Sequence, residues 1–196
     1  MRLPDPVQTI LIWDVDDVLN DLTIRVLEEL GVVNTGPVTS SFSNPRDYVL
    51  SLGYEEDTYL TCLDNVRRNV FHELKPNAEI QSWLQEHGSK YSHMALTSTP
   101  LQFCSNSASW VFAHFSHWID SFGCTPSPRP TDPKGMRYRT KAEYLTRLST
   151  PYILIDDTVS NLEQIDPING FGLQFPTRWS STQTIPECLQ SISALR

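Results

Sequence analysis

Two stretches of the chain crowd carboxylates where carboxylates are costly. In Trp13-Asp14-Val15-Asp16-Asp17-Val18-Leu19-Asn20-Asp21, three acids follow the apolar run Thr9-Ile10-Leu11-Ile12-Trp13 almost without interruption. In Tyr152-Ile153-Leu154-Ile155-Asp156-Asp157-Thr158-Val159-Ser160-Asn161-Leu162, a second apolar run meets two more. Adjacent carboxylates at the end of a buried strand repel one another unless a proton or a cation compensates. Mg²⁺, a hard ion that prefers oxygen ligands, is the natural compensator. A lone acidic pair more often simply ends a strand in solvent. Two such pairs, on parallel strands, can share one ion.

Two further pieces suit an anion. Ala95-Leu96-Thr97-Ser98-Thr99-Pro100 ends a third apolar run in hydroxyls and leads into a helix start, whose free backbone donors suit a phosphate. Alone, Thr97 and Ser98 read as an ordinary helix cap. Lys141 opens the helical stretch ahead of the Asp156 strand. Most lysines are solvated, so its position is what singles it out.

The elements that must hold these residues alternate along the chain. Residues 9–13, 93–97, 152–155 and 170–175 are short and apolar, and the first is rich in β-branched residues, as expected of strands buried on both faces of a parallel sheet. Helical stretches lie between and after them at residues 77–87, 101–115, 140–148 and 185–195. This pattern predicts an α/β fold with a mostly parallel sheet flanked by helices. Residues 21–75 break the alternation. They contain two helix-like patterns, 22–30 and 57–74, around a Ser/Asn/Pro loop near residues 40–46, and read as a helical insertion. Residues 125–135 hold four of the fourteen prolines and are expected to be a loop, because each proline removes a backbone donor. The aromatic run from Trp110 to Trp118, with His114 and His117 three apart, reads as a helix packing one face into the core and not as a zinc site.

Composition narrows the function. A chain of 196 residues holds one domain plus a modest insertion. Its formal charge of −8 disfavours nucleic-acid polymers and anionic lipid surfaces. Four scattered cysteines without a C-x-x-C pair, and a first segment lacking the pattern of a signal peptide, predict a reduced, soluble, cytoplasmic protein. No apolar run approaches the ~20 residues that span a bilayer.

Taken in order, these four pieces resemble the motifs of the haloacid dehalogenase-like (HAD) hydrolases. Those motifs are D-x-D-x-[TV]-[LV], a strand-end Thr/Ser, a Lys before the last acidic strand, and a D-D-x-x-x-N ending, and the match runs from Ile10 to Leu162. The resemblance implies a Rossmann-like core of residues 1–20 and 76–196, with residues 21–75 as a C1-type helical cap after the first strand. It also implies a Mg²⁺-dependent phosphatase acting on a small phosphomonoester through an aspartyl-phosphate, with Asp14 as nucleophile and Asp16 as general acid and then base. Mg²⁺ would be held by Asp14, the Asp16 carbonyl, Asp157 and Asp156, the last directly or through water. Thr97, Ser98 and Lys141 would bind the phosphoryl group. Asp17 is not expected to catalyse, and Asn161 is expected to be a helix or loop tie.

The pattern is similar to that of 5′(3′)-deoxyribonucleotidases in Val18-Leu19-Asn20-Asp21, Leu74-Lys75-Pro76 and Thr97-Ser98-Thr99-Pro100, which points to a nucleotide or a sugar phosphate as substrate. It departs from them at Asn20 and in the cap, where no base-stacking aromatics are legible. A phosphotransferase or phosphoprotein phosphatase on the same site is the first alternative. The second is a non-catalytic module using Tyr48, Tyr54 and Tyr59 as a partner surface.

Overall fold

The computed structural model describes residues 9–32, 42–127, 138–180 and 183–194. Five strands form one all-parallel sheet: β1 (Ile10–Trp13), β2 (Ser92–Ser98), β3 (Ile119–Thr125), β4 (Tyr152–Asp156) and β5 (Gly170–Gln174), in the order β3-β2-β1-β4-β5. β1 is central. From it the chain first builds outward through β2 and β3, then returns to lay β4 against the other side. The crevice between β1 and β4 is therefore the point where strand order reverses, the place where open α/β sheets bind ligands at their carboxyl ends.

Alternation along β1 explains why all of it is apolar. Leu11 and Trp13 enter a large core with Ala95, Ile153 and Ile155, and Ile12 enters a second core with Met94, Leu96, Leu154 and Leu145 on the opposite face. The helices covering the sheet are α4 (Ala78–His87), α5 (Cys104–Phe115), α6 (Lys141–Leu145), α7 (Val159–Glu163) and α8 (Ile185–Ala194). Asn77 caps α4 by accepting from the Glu79 and Ile80 N–H groups, and the helix buries Ile80, Trp83 and Leu84. α5 buries Trp110, Val111 and Phe115 on one face, while the His114 ring lies tilted against Trp110 and the His117 ring meets Trp118 edge-on.

Between β1 and β2 lie α1 (Leu22–Glu29), α2 (Pro45–Ser51) and α3 (Glu56–Asn69), followed by a 3-10 turn at Phe71–Glu73. α1 and α2 both pack on α3.

Four expectations need correction. β3 is a fifth strand that hydropathy does not reveal, because this edge strand, IDSFGCT, is only partly buried. Thr125, placed in the proline-rich loop, is the last residue of β3; residues 128–135 of that loop lie outside the described residues. α2 occupies a stretch read as loop and inter-element chain, where Asn44 caps the helix and Pro45 sits in its first turn, a position that does not require the missing N–H. Tyr48 and Tyr59 are not a partner surface. They are 1% and 4% exposed, and Tyr48 stacks on Trp179 at 5.8 Å.

Candidate active site

Strand register brings the two acidic stretches together. Trp13 pairs with Ile155, so Asp14 and Asp156 leave the sheet side by side. The Asp14 N–H donates to the Ile155 carbonyl at 2.9 Å, and the Phe175 N–H donates to that of Asp156 at 2.9 Å, holding both acids on strand-like backbone. Asp14, Asp156 and Asp157 are all buried, and each offers an oxygen within 4.8 Å of the others.

Beyond Asp14 the chain makes a tight turn over Val15–Leu19, with Asp17 in left-handed conformation at φ 65°. A non-glycine residue there is strained, and Asp tolerates it better than most. Its neighbours compensate. The Asp17 N–H donates to Asn20 Oδ1 at 3.1 Å, and its carboxylate accepts from the Thr23 N–H at 2.7 Å and Thr23 Oγ1 at 2.6 Å. This carboxylate ties the turn to α1.

Lys141, at the first position of α6, is 1% exposed. Its Nζ donates to Asp14 Oδ1 at 2.7 Å and Asp156 Oδ2 at 2.6 Å. Burial alone pulls the ammonium pKa down, but the two carboxylates more than offset it and the net direction is upward. Asp156 also accepts from the Thr158 N–H at 2.9 Å and from Asn161 Nδ2 at 3.1 Å. It is saturated, and Asn161 is the tether expected. Asp157 differs: its Oδ2 is buried with no hydrogen-bond partner.

The hydroxyls of the β2 end divide. Ser98 Oγ is paired with Thr125 Oγ1 at 2.7 Å, whereas Thr97 Oγ1 is buried without a partner. The carboxylate of Asp16 stands apart from the acidic trio and accepts from Arg67 Nη2 at 2.7 Å. Arg67, from α3, is the site residue sequence reading missed. The stretch Val66-Arg67-Arg68-Asn69 gives no sign of which arginine turns inward, since that depends on how α3 packs.

Asp14, Asp16, Asp17, Asp157, Thr97, Ser98, Lys141 and Asn161 line one cavity of about 130 Å³, closed on the α1–α3 side by Leu22, Thr23, Pro45, Tyr59, Leu63 and Arg67. Burial raises the Asp14 carboxyl to about 8 despite Lys141 and Asp17 to about 7 despite its Thr23 bonds. Asp157 is raised well above the usual range by burial and by neighbouring Asp156.

Whole-chain structural likeness agrees with this geometry. The structure is similar to a haloacid dehalogenase-like hydrolase from Streptococcus pneumoniae (18% identity, 97% of this chain and 99% of that one, TM-score 0.56). It is similar to a HAD-superfamily hydrolase from Ehrlichia chaffeensis (15% identity, 100% and 98%, TM-score 0.57). The chain has the haloacid dehalogenase-like fold. A further HAD-fold neighbour, from Bacillus subtilis and described as bound to magnesium, shares 12% identity over 100% of this chain and 99% of its own (TM-score 0.51). No family model matches the sequence, and no curated protein does. Within the HAD-like fold, the acids of the first and last motifs meet at the strand-order reversal. No helix among the described residues is long and apolar enough to cross a membrane.

The residues present fit a divalent cation: an all-oxygen set, one carboxylate oxygen without a partner, and raised carboxyl pKa values that a dication would reverse. Stability should report this. A carboxyl whose folded pKa lies above its unfolded value near 3.8 binds more protons folded than unfolded, so stability falls as pH rises from about 4 through the folded values of about 7 and 8 for Asp17 and Asp14. Metal-free protein is therefore expected to melt on the order of 5 °C lower at pH 8 than at pH 5, with Mg²⁺ recovering more of Tm at pH 8. A Tm that climbs over this range without metal, or a Mg²⁺ effect larger at pH 5, would contradict the assignment.

Proposed function

We propose that this protein is a Mg²⁺-dependent phosphomonoester hydrolase acting on a small phosphorylated metabolite through an aspartyl-phosphate at Asp14. One observation carries the reading: a fully buried lysine bridges two strand-end aspartates beside a partnerless carboxylate oxygen and a partnerless threonine hydroxyl, around one small cavity. Buried groups left unpaired are costly, and a phosphoryl group with its cation would satisfy them together.

Lys141 and Thr97 bind the phosphoryl oxygens, with Ser98 at the same rim. Asp14 Oδ1 is already engaged by Lys141 and by the Val15 N–H at 2.7 Å, so Oδ2 is the oxygen that attacks phosphorus. As that O–P bond forms, the bond to the leaving oxygen breaks, and Asp16 supplies the leaving oxygen with a proton. Asp16 then takes a proton from water, which attacks phosphorus and releases inorganic phosphate and Asp14. Asp14, Asp157 and the Asp16 carbonyl would hold Mg²⁺, with Asp156, saturated by its own partners, acting through water. Bound there, the ion would offset charge between carboxylate and phosphate.

Residues 21–75, the layer of α1–α3, serve as the C1-type cap. The cavity volume of about 130 Å³ lies well under the ~300 Å³ at which drug-sized ligand sites begin, which favours a short leaving group over a nucleoside. Phosphate release from short alkyl and sugar phosphates should be Mg²⁺-dependent and should fall to background in EDTA. Undiminished turnover in EDTA would refute the metal role.

A further inference from the structure

Arg67 is 7% exposed and lines the cavity. Only part of its donor fork is used: Nη2 meets Asp16 Oδ2 at 2.7 Å, while Nε is buried with no partner. Its place is fixed from two directions, because Asn106 of α5 donates Nδ2 to the Arg67 carbonyl at 3.0 Å while Asp16 holds the other end. A guanidinium positioned in this way is pre-organised to take a planar anion on its remaining edge, with charge-assisted bonds that an ammonium cannot copy in geometry. The nearby wall is largely apolar, formed by Leu22, Pro45, Tyr59 and Leu63. The space thus suits a phosphoryl group, a few carbon atoms and one further anionic group.

We propose that Arg67 is a specificity-determining residue that binds a carboxylate on the leaving group, so that the preferred substrates are phosphorylated short-chain hydroxy acids. The inference rests on the phosphomonoesterase reading above and narrows its substrate class. Nothing else on the cap side of the cavity is cationic among the described residues, so discrimination between acidic and neutral leaving groups falls to this one side chain.

The test compares kcat/KM for phosphoglycolate and ethyl phosphate on Mg²⁺-loaded full-length protein, wild type beside Arg67→Met and Arg67→Lys. Wild type should prefer phosphoglycolate by about 10- to 100-fold, the range of a hydrogen bond to a charged group. Arg67→Met should bring the two esters to within about threefold of each other, and Arg67→Lys should keep part of the preference, because it retains charge but not the fork. If Arg67 only orients Asp16, the variants slow both esters equally and the ratio stands, which overturns the proposal. Equal turnover of the two esters by wild type also overturns it, even if the Met variant does not fold, and leaves the phosphatase reading intact. Absence of any Asp14-dependent turnover overturns that reading and this inference with it.

Discussion

Asp14→Asn should abolish phosphate release, with a loss of about 10⁴-fold or more, as when the nucleophile of a covalent mechanism is removed. The fold should survive. Asn keeps the side-chain shape and an oxygen for the Val15 N–H, and Lys141 retains Asp156 as its partner at 2.6 Å. The decisive comparison is with acetyl phosphate, a small donor whose leaving group needs no proton. Wild type should take one phosphoryl group from it, seen by intact mass after rapid acid quench, and the Asn variant none. Phosphorylation that persists in Asp14→Asn would assign the nucleophile elsewhere and sink the mechanism.

The second large effect is at Asp16. An alkoxide is a poor leaving group, so Asp16→Asn should lower turnover of ethyl phosphate by about 10²- to 10⁴-fold, the usual contribution of general acid–base catalysis. Phosphorylation by acetyl phosphate should survive, because acetate leaves without a proton. Hydrolysis of the phosphoenzyme, which needs Asp16 as base, should slow, so the phosphorylated variant persists longer than phosphorylated wild type after the donor is removed. Arg67 faces Asp16 across 2.7 Å, and the amide oxygen of Asn still accepts from it, so circular dichroism should be unchanged. Equal losses with both donors would assign Asp16 to structure and not to proton transfer.

Legibility followed burial. β1 and β4 are apolar at every position before their acids because both of their faces are covered, and such strands announce themselves. β3 does not, because an edge strand tolerates Asp120 and Ser121 exposed in its middle. α2 was hidden for another reason: its seven residues are too short for a helical period to stand out, and its signals are a cap and a proline that read equally well as a turn. From the sequence Asp17 could be kept out of the catalytic set and Asn161 read as a tie, but their partners, Thr23 and Asp156, lie outside any local pattern. Tyr48 and Tyr59 could not be placed, since their exposure depends on which helix face the neighbouring elements cover.

What the sequence determined by itself was the inventory: an α/β alternation, two strand ends carrying acids, a third carrying hydroxyls, and a lysine ahead of the last acidic strand. These are local facts, encoded in runs of five to ten residues, and the parallel topology follows from them because short connections and buried strands leave few alternatives. Tertiary structure alone decided how the inventory is wired. It gave Lys141 to Asp14 and Asp156, left Asp157 Oδ2 and Thr97 Oγ1 without partners, diverted Ser98 to Thr125, and turned Arg67 inward onto Asp16. The physical reason is that hydrogen-bond partners and dielectric are set by groups distant in sequence. The Arg67–Asp16 pair joins residues 51 positions apart, and no local pattern records which side chain a packed helix delivers there.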